Sequence, residues 1–166
     1  MTDIDGRTFK EGDLVTFLDV HETCGRCYEC LVTKQTTRCP HRKVYGISYG
    51  TSDGPLGGWA DYIWMKPGVK LLRIPDAIDP TIFIAGGCGL VTSMHMVERG
   101  DVRLGNAVAV LGAGPVGLAS TALARMSGAD PVITIGAPAD RLAAAKTMGA
   151  THTIDLLAPR DGMRNR

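Results

Sequence analysis

Beyond Arg103 the apolar positions alternate between short β-branched runs and longer stretches with helical spacing. "NAVAVL", Asn106 to Leu111, reads as a buried strand. After a glycine-rich turn, Leu118, Ala119, Ala122, Leu123 and Met126 recur at helical intervals and the pattern stops near Gly128, so these side chains are expected to form the face that covers a sheet. "PVITI", Pro131 to Ile135, reads as a second strand. A second helix is framed by Pro138 and Gly149, and "THTID" offers a third strand. Three strands linked by two helices predict half of a doubly wound α/β sheet.

The first strand runs straight into "GAGPVG", Gly112 to Gly117, with a helix behind it. Strand before and helix after is the context in which G-x-G-x-x-G binds a dinucleotide. Gly112 allows the tight turn, Gly114 lets backbone approach a pyrophosphate, and Gly117 permits close packing of helix on strand. Pro115 suits the first helical turn, and Val116 completes the motif. An acid about 20 residues further on would hold the ribose hydroxyls, yet the residue nineteen after Gly117 is Gly136. Without that acid NADP is expected to be accepted beside NAD. Arg141 could meet its 2′-phosphate or be a solvated helix residue, and Asp140 is read as a first-turn acid.

Composition narrows the classes. With 45% hydrophobic and 21% charged residues the chain is expected to be globular, and its net charge of +1 gives no reason to expect nucleic acid or an acidic membrane as a partner. The uncharged run from Leu104 to Ala124 is broken by glycines and Pro115, unlike a membrane span. The opening "MTDIDGRTFKEGD" has acids and no apolar core, so a cytoplasmic protein is expected.

Four of the five cysteines, Cys24, Cys27, Cys30 and Cys39, lie close together as C-x2-C-x2-C-x8-C. In a cytoplasmic chain such spacing favours a metal over disulfides, and four thiolates suit tetrahedral zinc in a closed structural site. A four-iron cluster, disulfides, and a nucleic-acid-binding zinc ribbon flanked by Arg26, Lys34, Arg38, Arg42 and Lys43 stay open as alternatives.

"KEGDLVTF", "CGRCYEC", "GGWADYI", "CGLVTSMH", "VLGAGPVGL" and "RLAAAKTMGA" together resemble the zinc-containing medium-chain dehydrogenases, the alcohol dehydrogenase family, over nearly the whole chain. The resemblance implies a partial GroES-like catalytic domain over residues 1–80 and the first half of a Rossmann domain over 81–166. It makes Cys24, Cys27, Cys30 and Cys39 the structural-zinc ligands, with eight residues in a gap that usually has seven. It makes Cys88 the third ligand of a catalytic zinc and Thr92 a contact of the nicotinamide end, against the simpler reading of Cys88 as a small buried thiol.

The family's first two catalytic ligands precede the cysteine loop, and residues 1–23 hold no cysteine. His21-Glu22 imitates the usual G-H-E motif in two letters and is read as surface or loop packing. The family's sheet continues past "THTID", where this chain ends in "LLAPRDGMRNR", so a fragment is expected. The implied activity is NAD(P)-dependent hydride transfer from a small alcohol or polyol, absent from this chain alone. A zinc-free reductase and a non-catalytic zinc-loop interaction or nucleic-acid-binding module are the alternatives. Half a sheet exposes an edge strand, so a homo-oligomer is expected.

Overall fold

The computed structural model describes residue 3 and residues 5–158. The C-terminal run 159–166, part of the segment read as a truncated end, lies outside the described residues. The chain divides into two compact units, Met1–Ile78 and Asp79–Arg166.

The first unit is built from short antiparallel pairs. Strand β1 (Val15–Phe17) pairs with β4 (Leu71–Arg73), Thr16 opposite Leu72. Strand β2 (Val20–Glu22) pairs with β3 (Lys43–Val44) through a register shift. Between β2 and β3 lies α1 (Tyr28–Leu31), a single turn. Tyr45, Leu56, Val69 and Leu71 form the core, with Phe9, Phe17, Tyr49, Ile63 and Met65 packed around it. Tyr45 is central because its phenol can be satisfied inside: the hydroxyl donates to the Trp64 carbonyl at 3.2 Å and accepts the Lys66 N–H at 2.7 Å. Its ring meets Phe17 edge-on at 5.2 Å.

The second unit opens with α2 (Pro80–Arg99), whose start is fixed by Asp79 accepting the Thr81 N–H at 2.7 Å and by Pro80 in the first turn. The helix breaks at Gly87, where φ 39° and ψ −143° are accessible to glycine alone. By length and composition α2 is apolar enough to cross a membrane, with a mean hydropathy of 1.3. It packs its second half on α3 (Pro115–Met126) through Gly89 and Ser93.

Strands β5 (Val108–Leu111), β6 (Val132–Gly136) and β7 (His152–Asp155) form a parallel sheet in that order, with α3 and α4 (Ala139–Thr147) as the crossovers. The expected half of a doubly wound sheet is therefore present. In-register pairing of Val110 with Thr134 and of Leu111 with Ile135 sorts the side chains. Val110, Val132 and Thr134 are buried, whereas Leu111 (81% exposed) and Ile154 point to the opposite face.

The face of α3 differs from the expected one. Ser120, Thr121 and Ala124 are its buried residues; Leu118, Ala119, Ala122 and Leu123 are half-buried, and Met126 is exposed. Small side chains let this helix sit close to β6, and the larger ones are displaced to its flanks. Beside the edge of β5, unpaired among the described residues, runs a groove of about 560 Å3, lined in part by Met96, Val97, Val116 and Ser120. The Ser120 hydroxyl is buried there and, among the described residues, has no partner.

Candidate functional sites

The cysteine loop gathers its ligands by local turns. Gly25, at φ 64°, lets the chain reverse after Cys24, and the Cys27 carbonyl receives the N–H groups of Cys30 (3.1 Å) and Leu31 (2.9 Å) to start α1. The longer gap to Cys39 turns back at Lys34, φ 57°, and the Gln35 N–H returns to the Glu29 carbonyl at 2.9 Å. A turn of 3-10 helix, Thr36–Arg38, then delivers Cys39.

All four sulfurs lie within 4.8 Å of one another. Cys39 Sγ is 3.6 Å from Cys24 Sγ and 3.9 Å from Cys27 Sγ. Sulfurs on a zinc tetrahedron with bonds of about 2.3 Å stand about 3.8 Å apart, so these two separations match it and the rest, none above 4.8 Å, need only small shifts to close on zinc. A disulfide needs about 2.05 Å, and a four-iron core needs far more room than these sulfurs leave. The arrangement can hold one structural zinc. Backbone N–H donation, chiefly from Arg26, lowers the Cys24 thiol to about 6, while burial raises Cys30 to about 12. Arg26, Lys34, Arg38, Arg42 and Lys43 are all exposed around the loop.

His21 is not free to bind metal. Its side chain is 5% exposed, Nδ1 lies 2.5 Å from the Tyr49 hydroxyl, and Nε2 lies 3.0 Å from the Pro67 carbonyl. An imidazole facing a carbonyl must donate to it, so Nε2 carries the proton and Tyr49 donates to Nδ1. The half-buried His21 packs its ring beside Tyr45 and Tyr49, with Glu22 exposed beside it.

In the second unit β5 ends in the glycine turn. Gly112, at φ 108°, donates to the Ile135 carbonyl at 2.7 Å, and Ala113 turns inward to 3% exposure. A Cβ on Gly114 would meet open space; one on Gly117 would lie 1.9 Å from the Gly112 carbonyl oxygen. Gly117 is therefore what lets the helix begin so close to the turn. Leu118 is the first helical N–H to reach a carbonyl, that of Gly114 at 2.8 Å, which leaves the Val116 N–H and Gly117 N–H for an anion. The turn fits a pyrophosphate.

Two residues that sequence reasoning passed over hold this turn against α2. Ser93 Oγ donates to one of two carbonyls in reach, Gly89 at 2.7 Å and Val116 at 2.8 Å, and a Cβ added at Gly89 would lie 3.8 Å from the Pro115 and Val116 backbone. The signal was available as a Gly and a Ser four residues apart in an apolar helix. Cys88 and Thr92 lie beside this pair, also four apart, and both are exposed. Cys88 is thus not the buried thiol of the simpler reading. Among the described residues no second and third ligand stand near it, so a catalytic zinc does not fit these residues alone.

Gly136 closes β6 directly under the turn, where its missing Cβ would lie 2.9 Å from Ala113. Arg141 is exposed in the first turn of α4.

Residues 3–76 match the alcohol dehydrogenase GroES-like domain. Over 156 residues the chain is 36% identical to 5-exo-hydroxycamphor dehydrogenase of Pseudomonas putida, covering 93% of this chain and 42% of that protein. It is 32% identical to L-threonine 3-dehydrogenase of Bacillus velezensis, covering 87% of this chain and 39% of that one. Among solved structures it is similar to an alcohol dehydrogenase from Thermotoga maritima, with a TM-score of 0.84, 35% identity, and coverage of 93% of this chain and 43% of that one. A Sinorhizobium meliloti structure bound to NADP, described as a zinc-binding dehydrogenase, has a TM-score of 0.70 and 29% identity over 90% of this chain and 41% of its own. The chain spans about two fifths of the length of the curated relatives it matches.

Proposed function

Because the chain belongs to the zinc-containing medium-chain dehydrogenases, the alcohol dehydrogenase family, we propose that it is part of an NAD(P)-dependent oxidoreductase acting on a small-molecule alcohol or polyol. The observation that carries this reading is the glycine turn, in which Gly117 is sterically required and two N–H groups stay free for a phosphate. The relative bound to NADP supports a dinucleotide as the occupant.

When bound, the dinucleotide supplies a nicotinamide that exchanges a hydride with the alcohol carbon. The protein's part is binding and orientation. Gly112, Gly114, Pro115, Val116 and Gly117 would hold the pyrophosphate at the start of α3, and Gly136 and Arg141 are the positions that would serve the adenosine end. Ser93 fixes the height of α2 over that turn, and so the positions of Thr92, read as a nicotinamide contact, and of Cys88, read as a ligand of the catalytic zinc. No step is assigned to that zinc. Cys24, Cys27, Cys30 and Cys39 would hold a structural zinc, which would stiffen a loop with little core of its own.

The chain on its own is expected to bind cofactor and turn over no alcohol. The open β5 edge and exposed Leu111 favour a homo-oligomer, and a cytoplasmic location with no membrane or nucleic-acid partner accords with the near-balanced charge. The test is calorimetric titration with NADP+ and NAD+, alongside an alcohol oxidation assay and titration with RNA. Dinucleotide binding without turnover supports the proposal. Salt-sensitive RNA binding and no dinucleotide binding would favour the zinc-loop interaction module instead.

A further inference from the structure

The sheet of the second unit has two outer strands, β5 and β7, and their edges differ in kind. On β5 the Val108 N–H bonds to the Pro131 carbonyl at 2.9 Å, and the Gly112 N–H to the Ile135 carbonyl at 2.7 Å. Successive residues of a strand turn their N–H and C=O groups to opposite sides, so Val108, Val110 and Gly112 face β6 while Ala109 and Leu111 face outward. Among the described residues no strand takes these outward groups. A row of alternating donors and acceptors is met by another extended strand, which can pair with all of them at once.

The groove of about 560 Å3 runs along the same edge, with Met96, Val97 and Val116 among its walls. Ser120 Oγ is buried in it without a partner among the described residues, which marks the groove as a place where further atoms enter. The sequence of β5 indicates which strand it accepts. The strand reads VAVL, and from Leu104 to Ala124 no residue is charged, so two copies can lie side by side with no like charges meeting. Leu111, 81% exposed, alternates with the small Ala109, so in an antiparallel pair each leucine covers the partner's alanine. By contrast β7 begins at His152 and ends at Asp155, and charge of this kind protects an edge from pairing.

We infer that two copies of this chain join edge to edge through β5, antiparallel about a twofold axis at Val110, so that three strands from each copy form one continuous sheet. Ala109 of each copy exchanges N–H···O=C bonds with the partner's Leu111, and Val110 stands opposite its own counterpart. Pairing like with like uses both open β5 edges and closes on itself, whereas β5 on β7 would propagate into a fibre. The inference deepens the expected homo-oligomer by naming its interface.

The experiment is sedimentation velocity of the whole 166-residue chain in reducing buffer at increasing protein concentration, joined to hydrogen exchange of the Ala109 and Leu111 amides. The expected result is a species of twice the chain mass, with both amides more protected as it forms. Leu111→Lys replaces an exposed side chain, so the fold persists by circular dichroism and the dimer weakens by at least about tenfold. Ala109→Pro removes an N–H that points away from β6 and has the same effect. Ile154→Lys charges the exposed face of β7 instead and leaves dimerisation within about twofold of the original. A dimer that survives both Leu111→Lys and Ala109→Pro, one lost in Ile154→Lys, or one whose Ala109 and Leu111 amides exchange freely overturns the inference and leaves the homo-oligomer standing on another surface. A monomer at every concentration overturns both, and leaves the edge to a strand from outside this chain.

Discussion

Thr121 on α3 and Thr134 on β6 face each other in the interior with their hydroxyl oxygens 2.9 Å apart, and neither side chain is exposed. Thr121 also donates to the Gly117 carbonyl at 2.9 Å. A hydroxyl has one proton, so Thr134 is the donor of the shared bond. The strand is thereby tied to the helix residue that also steadies the glycine turn.

This direction of donation predicts unequal costs. Thr121→Val leaves the Thr134 proton buried with no acceptor and should destabilise by about 1–3 kcal/mol, whereas Thr134→Val removes one bond and leaves Thr121 paired, costing about 0.5–1.5 kcal/mol. Urea unfolding followed by circular dichroism measures both. A larger loss for Thr134→Val would reverse the assignment.

The two inner glycines of the turn should separate folding from binding. Gly114→Ala places its methyl in open space at φ −82°, so stability is unchanged and dinucleotide affinity falls because the methyl meets the incoming phosphate. Gly117→Ala drives a methyl into the Gly112 carbonyl and should cost about 1–3 kcal/mol as well as binding. Thermal melts and titrations on the same two proteins decide it; equal stability would refute the packing role of Gly117.

Zinc content is expected to be one ion per chain, held by the cysteine loop, with no iron. Cys30 must lose a proton that burial holds up to about 12, whereas Cys24 is already a thiolate at neutral pH. Zinc affinity therefore rises with pH, by about tenfold per unit from the Cys30 proton alone. Competition with a chromophoric chelator between pH 6 and 8 reads the slope, and a flat profile would contradict it. Cys39→Ser should abolish retention after chelator washing.

Acid should loosen the first unit at a defined place. Asp13 receives the Lys10 N–H at 2.8 Å and an Arg73 ion pair at 2.6 Å, which hold its carboxyl below the ordinary value. A depressed folded value means that the stabilisation is complete above the usual carboxylate range, about 4, and is lost as pH falls through the folded value. Asp13→Asn should flatten the acid limb of the stability profile. An identical acid limb in the variant would show that Asp13 contributes nothing there.

Much of this was legible in the chain because the signals are local. The glycine turn, the strands around Val110 and Thr134, and the helix bounded by Pro138 and Gly149 depend on neighbours in sequence and appear where expected. The cysteine spacing likewise dictates a cluster once a few turns are allowed. What periodicity could not rank was which of several apolar faces α3 would bury. Met126 is apolar and in phase yet 81% exposed, while Ser120 and Thr121 are polar and buried, because the distance from helix to sheet is set by the bulk of the facing residues. The close approach of Gly136 to Ala113 joins residues far apart in sequence, and no local pattern announces it.

Gly87 divides α2 into a leading piece and a trailing piece that need not share a direction. Cys88 is the first residue of the trailing piece, the part moored to α3 through Gly89 and Ser93. The thiol's address is thus written from downstream, by the contacts that seat Gly89 and Ser93 against the glycine turn. A break in a helix, ordinarily a loss of rigidity, here leaves the placement of Cys88 to the packing of the trailing piece on α3.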